Sequence, residues 1–123
     1  MKPGGVFAAN DWLAGGDPAS IPALERFKEA AHLHFTMATA AEMKNVMSQA
    51  GFRNVTSRDR NAWFAEISAD EVRQIEGPLR QQLIDAVGEE ILSGWTQVKK
   101  AMAEAASSGG LRPTHLHGFK PTA

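Results

Sequence analysis

Cysteine is absent from the 123-residue chain. That excludes disulfides, thiolate chemistry and cysteine-ligated zinc. Tyrosine is absent too, so aromatic chemistry rests on six Phe and three Trp. No excess of one charge exists: 13 Lys and Arg face 14 Asp and Glu, a formal net charge of −1. Such a balance lacks the electrostatic footprint of a nucleic-acid binder. No stretch approaches the roughly 20 apolar residues of a membrane span. The first residues carry one Lys and no apolar core, unlike a secretory signal. The expectation is a cytoplasmic protein without a membrane or nucleic-acid partner. Internal repeats, a nucleophile elbow and an H-E-x-x-H zinc motif are also missing.

What is present reads as one α/β domain over residues 1–123, long enough to bury a core. Val6 to Ala9 is a short apolar run between the Lys2-Pro3-Gly4-Gly5 turn and Asp11-Trp12. It predicts a strand buried on both faces, as in a parallel sheet. Ile21, Leu24, Phe27 and Ala31 recur at helical spacing and predict a helix over 19–33. Thr39 with Glu42 is a capping box, opening a helix that Gly51 stops. Phe52 to Ser57 predicts a second strand. Ser68 with Glu71 predicts another helix start, and Gly77-Pro78 a break. Ile91, Trp95, Val98, Met102 and Ala105 mark a final helix, and Leu111 to Lys120 a closing strand. Met37, Met43, Met47 and Met102 read as core filler.

The order and the residues resemble part of a known family. "KPGG" before an apolar strand is similar to the turn preceding the fifth strand of class I S-adenosylmethionine-dependent methyltransferases. "AAEMKNVMSQAGFRNV" resembles the following helix, turn and sixth strand. "GWTQVKKAMAEAASSGGLRPTHLHGFKP" resembles the last helix and seventh strand. The helices after "SRDRNAWF" most resemble the phosphoethanolamine and glycine/sarcosine N-methyltransferase group. The resemblance implies a partial Rossmann-like sheet of three strands with several helices: the C-terminal half of that fold, with Met1 as an internal residue. The cofactor half would carry a glycine-rich turn after a strand and an acidic residue for the ribose. Neither motif is recognisable here. S-adenosylmethionine is implied for the intact family, and none is expected for this chain alone.

By position, the resemblance implies a substrate pocket bordered by Asp11 and Trp12 and lined by Phe35, Arg58, Asp59, Trp63 and His117. An aromatic face with an acid suits a methylated amine. Arg58 and His117 suit a phosphate. Phe35 stands where the group tends to have tyrosine, which argues against phosphoethanolamine itself. The same residues also fit structural roles: Asp11 capping a turn, Trp12 packing under the next helix, and the Arg58, Asp59 and Trp63 set as a surface salt-bridge cluster with a core tryptophan. No residue is assigned a catalytic role. His32/His34 and His115/His117 form His-x-His pairs, and the second pair would share a strand face and could hold a metal. The sequence points to no third ligand.

The functional expectation is therefore a fragment of a methyltransferase acting on a small amine, inactive alone. The alternative is a stand-alone small-molecule binding or interaction domain without catalysis. A third reading, a metal-dependent enzyme, rests on the histidine pairs. Partners follow from the opening strand. Its apolar edge lacks charge from Gly5 to Asn10, and such edges associate. The expectation is a homodimer through residues 5–13, or pairing with a complementary cofactor-binding half.

Overall fold

The computed structural model describes residues 1–122. Strand β1 (Val6–Ala14) opens the chain. A 3₁₀ turn, Pro18–Ser20, leads into helix α1 (Ile21–Ala30). Asp17 starts this segment by accepting the Ala19 N–H at 3.0 Å. The helix expected to reach residue 33 stops earlier, where His32 takes the left-handed conformation with φ 56°. Helix α2 (Ala40–Gln49) begins with the expected capping box: the Glu42 N–H donates to Thr39 Oγ1 at 3.2 Å. Gly51, with φ 99°, turns the chain into strand β2 (Arg53–Asp59).

Helix α3 (Asn61–Glu76) follows almost at once. The sequence placed a helix start at Ser68, but Ser68 lies in the middle of α3. Its hydroxyl is buried and donates to the Phe64 carbonyl at 2.6 Å. The real start is set by Asp59, whose carboxylate accepts the Asn61 N–H at 2.7 Å. That early start sets which side chains α3 turns inward, and Trp63 remains 49% exposed rather than joining the core. Helix α4 (Arg80–Val87) lies beyond the Gly77-Pro78 break, and helix α5 (Glu89–Ser107) leads to strand β3 (Leu111–Phe119).

The three strands form one sheet in the order β1-β3-β2, and both pairings are antiparallel. Among the strands of the described residues, the opening one thus pairs only with β3, antiparallel, and not within a parallel sheet. It runs through Asp11 and Trp12 to Ala14. Its side chains alternate between faces. Phe7 and Leu13 pack with Leu116, Val55 and Met47 under α2. Ala14 and Leu111 join Leu24, Phe27, Met37, Phe64 and Ala105 on the other face, under α1, α3 and α5. Close backbone approach ties the ends together: the Gly15 N–H donates to the Gly110 carbonyl at 2.9 Å. A methyl on Gly15 would stand 2.1 Å from the Gly109 carbonyl oxygen. Asn61 adds a second tie, its side-chain amide donating to the carbonyls of Ala106 at 2.8 Å and Leu111 at 2.9 Å. Among the described residues, no helix is long and apolar enough to cross a membrane.

Candidate functional site

Strand register divides the candidate residues between two faces. Asp11 and Asp59 both stand opposite Thr114, on the face that α2 covers. Trp12 points the other way, against Phe27 at 5.7 Å and Phe64 at 6.3 Å between ring centroids. Phe64 in turn neighbours Trp63 at 6.5 Å. Phe27, Trp12, Phe64 and Trp63 thus form a line of rings where α1 and α3 meet the sheet. Trp12 keeps 38% of its surface exposed.

Beyond Trp12 this face is open. Asn10, His115 and Arg58 stand side by side across the three strands, and Ala8, His117 and Thr56 form the next row. Arg58 and His115 are exposed. His117 is half-buried, edge-on to Phe119 at 4.8 Å. No strand residue on this face is acidic. The platform is therefore rich in cationic and imidazole groups and suits an anionic ligand group.

Neighbours in sequence part company here. Arg58 and Asp59 do not pair with each other. Asp59 Oδ2 takes a 2.6 Å bond from Arg112 Nη1, leaving Arg58 outside the ion pairs among the described residues. The Asp11 carboxylate accepts the N–H of Trp12 at 2.8 Å. Trp63 carries a cation of its own, the Arg60 guanidinium 4.9 Å from the ring centre. That stacking uses the attraction an ammonium ligand would need. Phe35 lies in the connection between α1 and α2, 54% exposed, and no ring pairing among the described residues joins it to Trp12 or Trp63. The structure thus groups Trp12, Arg58 and His117 on one face with Trp63 at its margin, sets Asp11 and Asp59 on the other, and leaves Phe35 apart. The sequence reading did not include Asn10, His115, Phe64 and Arg60 in this neighbourhood. Alternation along β1 and β3 was the available signal for the first two. His115 and His117 do share a face, but no group of three metal-binding side chains forms among the described residues.

No family model matches the sequence, and no curated protein matches it. Solved structures do match. Phosphoethanolamine N-methyltransferase 2 of Haemonchus contortus, bound to phosphomonomethylethanolamine and S-adenosylhomocysteine, superposes with a TM-score of 0.82 at 16% identity, over 98% of this chain and 27% of its own. A protein of Galdieria sulphuraria described as a sarcosine dimethylglycine methyltransferase gives 0.79 at 14% identity, over 100% of this chain and 44% of its own. A cyclopropane synthase of Mycobacterium tuberculosis gives 0.78 at 14%, over 98% and 46%. The chain has the fold of part of an S-adenosylmethionine-dependent methyltransferase and spans less than half the length of these three structures.

The described residues do not fit the cofactor. Gly15-Gly16 is the glycine pair that leaves a strand toward a helix, but the backbone of Gly109 fills the space beside Gly15. Asp59 is an acid at a strand end, but Arg112 and the Asn61 N–H hold its two oxygens. Neither is free to take a ribose or to line a phosphate-like cradle.

Proposed function

We propose that the chain is the substrate-side part of a cytoplasmic S-adenosylmethionine-dependent methyltransferase acting on a small amine, inactive without a cofactor-binding partner. The observation that carries this reading is the helical insert α3–α5 between β2 and β3, which brings Phe64 beside Trp12, with Trp63 next to Phe64, in a fold shared with methyltransferases. Two of the superposing proteins are named for amine substrates. The open rows beside Trp12 supply Arg58, His115 and His117, so the preferred amine also bears an anionic group. Trp12, not the Arg60-covered Trp63, is the ring that meets the substrate's methylated nitrogen.

The test is a pair of titrations on the chain alone. Calorimetry with S-adenosylmethionine is expected to give no binding near or below about 10 μM. Dimethylglycine and phosphomonomethylethanolamine are expected to shift the indole N–H resonance of Trp12 more than that of Trp95. Low-micromolar cofactor binding would overturn the assignment as a part lacking the cofactor site. Indole signals unmoved by either amine would overturn the amine substrate. A second reading, a binding domain without catalysis, is favoured by the engagement of Asp59 and Gly15 elsewhere. Methyl transfer to an amine when a cofactor-binding partner is supplied separates the two.

A further inference from the structure

Helix α4 is joined to its neighbours differently from the other α-helices. Each of those has at least one buried residue, and among the described residues α4 has none. Its apolar face, Leu83, Ile84 and Val87, is only half-buried where α4 meets α3 and α5. Both of its junctions are set by glycine. Gly88 takes φ 88° and ψ 158°, a backbone region open to glycine and little else. Its N–H closes α4 on the Ile84 carbonyl at 2.8 Å, and its carbonyl opens α5 by accepting the Leu92 N–H at 3.1 Å. At the other end, a methyl on Gly77 would stand 2.9 Å from the Arg73 carbonyl oxygen, and Pro78 interrupts the backbone ladder. The ion pairs repeat the division. Lys99–Glu71 at 3.1 Å and Lys100–Glu76 at 2.5 Å clamp α5 to α3, whereas among the described residues one pair, Arg80–Glu89 at 3.2 Å, ties α4 to α5. A crevice of about 590 Å³ lies between the three helices, lined by Ile75 and Glu76 of α3, Arg80 of α4, and Ser93, Thr96 and Lys100 of α5.

We propose that α4 is a flap. It swings as a unit on Gly77 and Gly88, is latched shut by Arg80 and Glu89, and controls access to the crevice between α3 and α5. Glycine at both joints lets the backbone leave the closed conformation with no side chain to obstruct it. Three half-buried side chains are a weak hold, because segments with few buried apolar contacts open locally at low cost. The exposed ion pair adds little more. α3 and α5 stay together without α4, through the buried Ser68 and Leu92 and the two lysine pairs. Opening parts Arg80 from Glu89 and uncovers Ile75 and the apolar face of α4, so the crevice becomes wider and more apolar. The inference goes beyond the methyltransferase reading and does not depend on it.

Amide hydrogen exchange on the 123-residue chain reads the motion. The amides from Leu83 to Gly88 are expected to exchange together, at least about tenfold less protected than Val72 of α3 and Val98 of α5. Glu89→Gln removes the latch and is expected to speed α4 exchange about two- to fivefold, the range an exposed ion pair allows. Gly88→Ala adds a methyl to open space but strains the positive φ of the closed state. It is expected to speed α4 exchange at least about fivefold and to leave Val72 and Val98 unchanged. Thr96→Cys places the one thiol of the chain in the crevice. Its labelling by a maleimide is expected to quicken with Glu89→Gln by the same factor as the exchange. An α4 as protected as α5 would overturn the flap. So would a Gly88→Ala chain in which all three helices speed up alike, the mark of an insert that opens in one piece. Thiol labelling indifferent to Glu89→Gln would overturn the control of access. Glu89→Gln and the thiol carry the test if Gly88→Ala proves unfolded.

Discussion

Asn61 is the most economical place to test how the helical insert is fastened to the sheet. One side-chain amide donates to the last turn of α5 through Ala106 and to the first residue of β3 through Leu111. Asn61→Ala removes both donors without touching the backbone bond from the Asn61 N–H to Asp59. Each neutral hydrogen bond contributes about 0.5–1.5 kcal/mol net. Ala106 keeps a second donor in the Gly109 N–H at 3.0 Å, so its carbonyl is not orphaned. The Leu111 carbonyl loses a side-chain donor beside a fully buried residue. The sum is about 2 kcal/mol. With a urea slope of about 1–3 kcal/mol/M for a domain this size, the midpoint falls by roughly 1 M. Asn61→Asp is the sharper variant. It keeps the shape but turns an anionic acceptor toward two carbonyl oxygens, and its loss is expected to exceed that of Asn61→Ala. Urea titrations followed by circular dichroism read both. Asn61→Asp as stable as wild type would refute the donor assignment, because the flipped or solvated amide would then not be holding the insert.

Two further outcomes test the packing. Gly15→Ala sets a methyl 2.1 Å from the Gly109 carbonyl oxygen, backbone against backbone, and is expected to cost about 3 kcal/mol; a thermal midpoint within a degree or two of wild type would mean the two turns do not touch. Trp63→Ala is expected to cost only about 1–2 kcal/mol, below the 3–5 of a fully buried aromatic, because the ring is 49% exposed and its cation contact with Arg60 is a surface one. A loss above about 3 kcal/mol would place Trp63 in the core.

The parts of the fold that were legible in sequence were the local ones. The Thr39–Glu42 capping box, the Gly51 turn and the Gly77-Pro78 break depend on residues a few positions apart, and each stands where its pattern put it. Ser68 obeyed the same pattern and failed, because a helix nucleated earlier, at Asp59 and Asn61, had already enclosed it. A hydroxyl three residues before an acid caps a helix only where the backbone donors are free. Inside α3 they are taken, and the hydroxyl turns back to the Phe64 carbonyl instead. The sheet order β1-β3-β2 rests on contacts between distant segments, which no local pattern carries. Apolar runs indicate that a strand is buried, but not which strand lies beside it or in which direction.

The candidate site was legible as a neighbourhood and not as a geometry, and the reason is the period of a strand. Asp11 and Trp12 look like a pair when the strand ends at Ala9. Once the strand continues to Ala14, consecutive side chains must oppose each other, and the acid and the ring part. Arg58 and Asp59 part for the same reason inside β2. The separation has a chemical consequence. Each acid finds work on or near its own strand: Asp59 holds Arg112 and starts α3, and Asp11 closes the Trp12 N–H. Their neighbours are released to the open face, Trp12 with part of its ring bare and Arg58 without an ion-pair partner among the described residues. Charge that cancels along the sequence therefore does not cancel across the sheet. The open face inherits the arginine, two histidines and the ring, while Asp11 accepts the Trp12 N–H and Asp59 the Asn61 N–H at the start of α3.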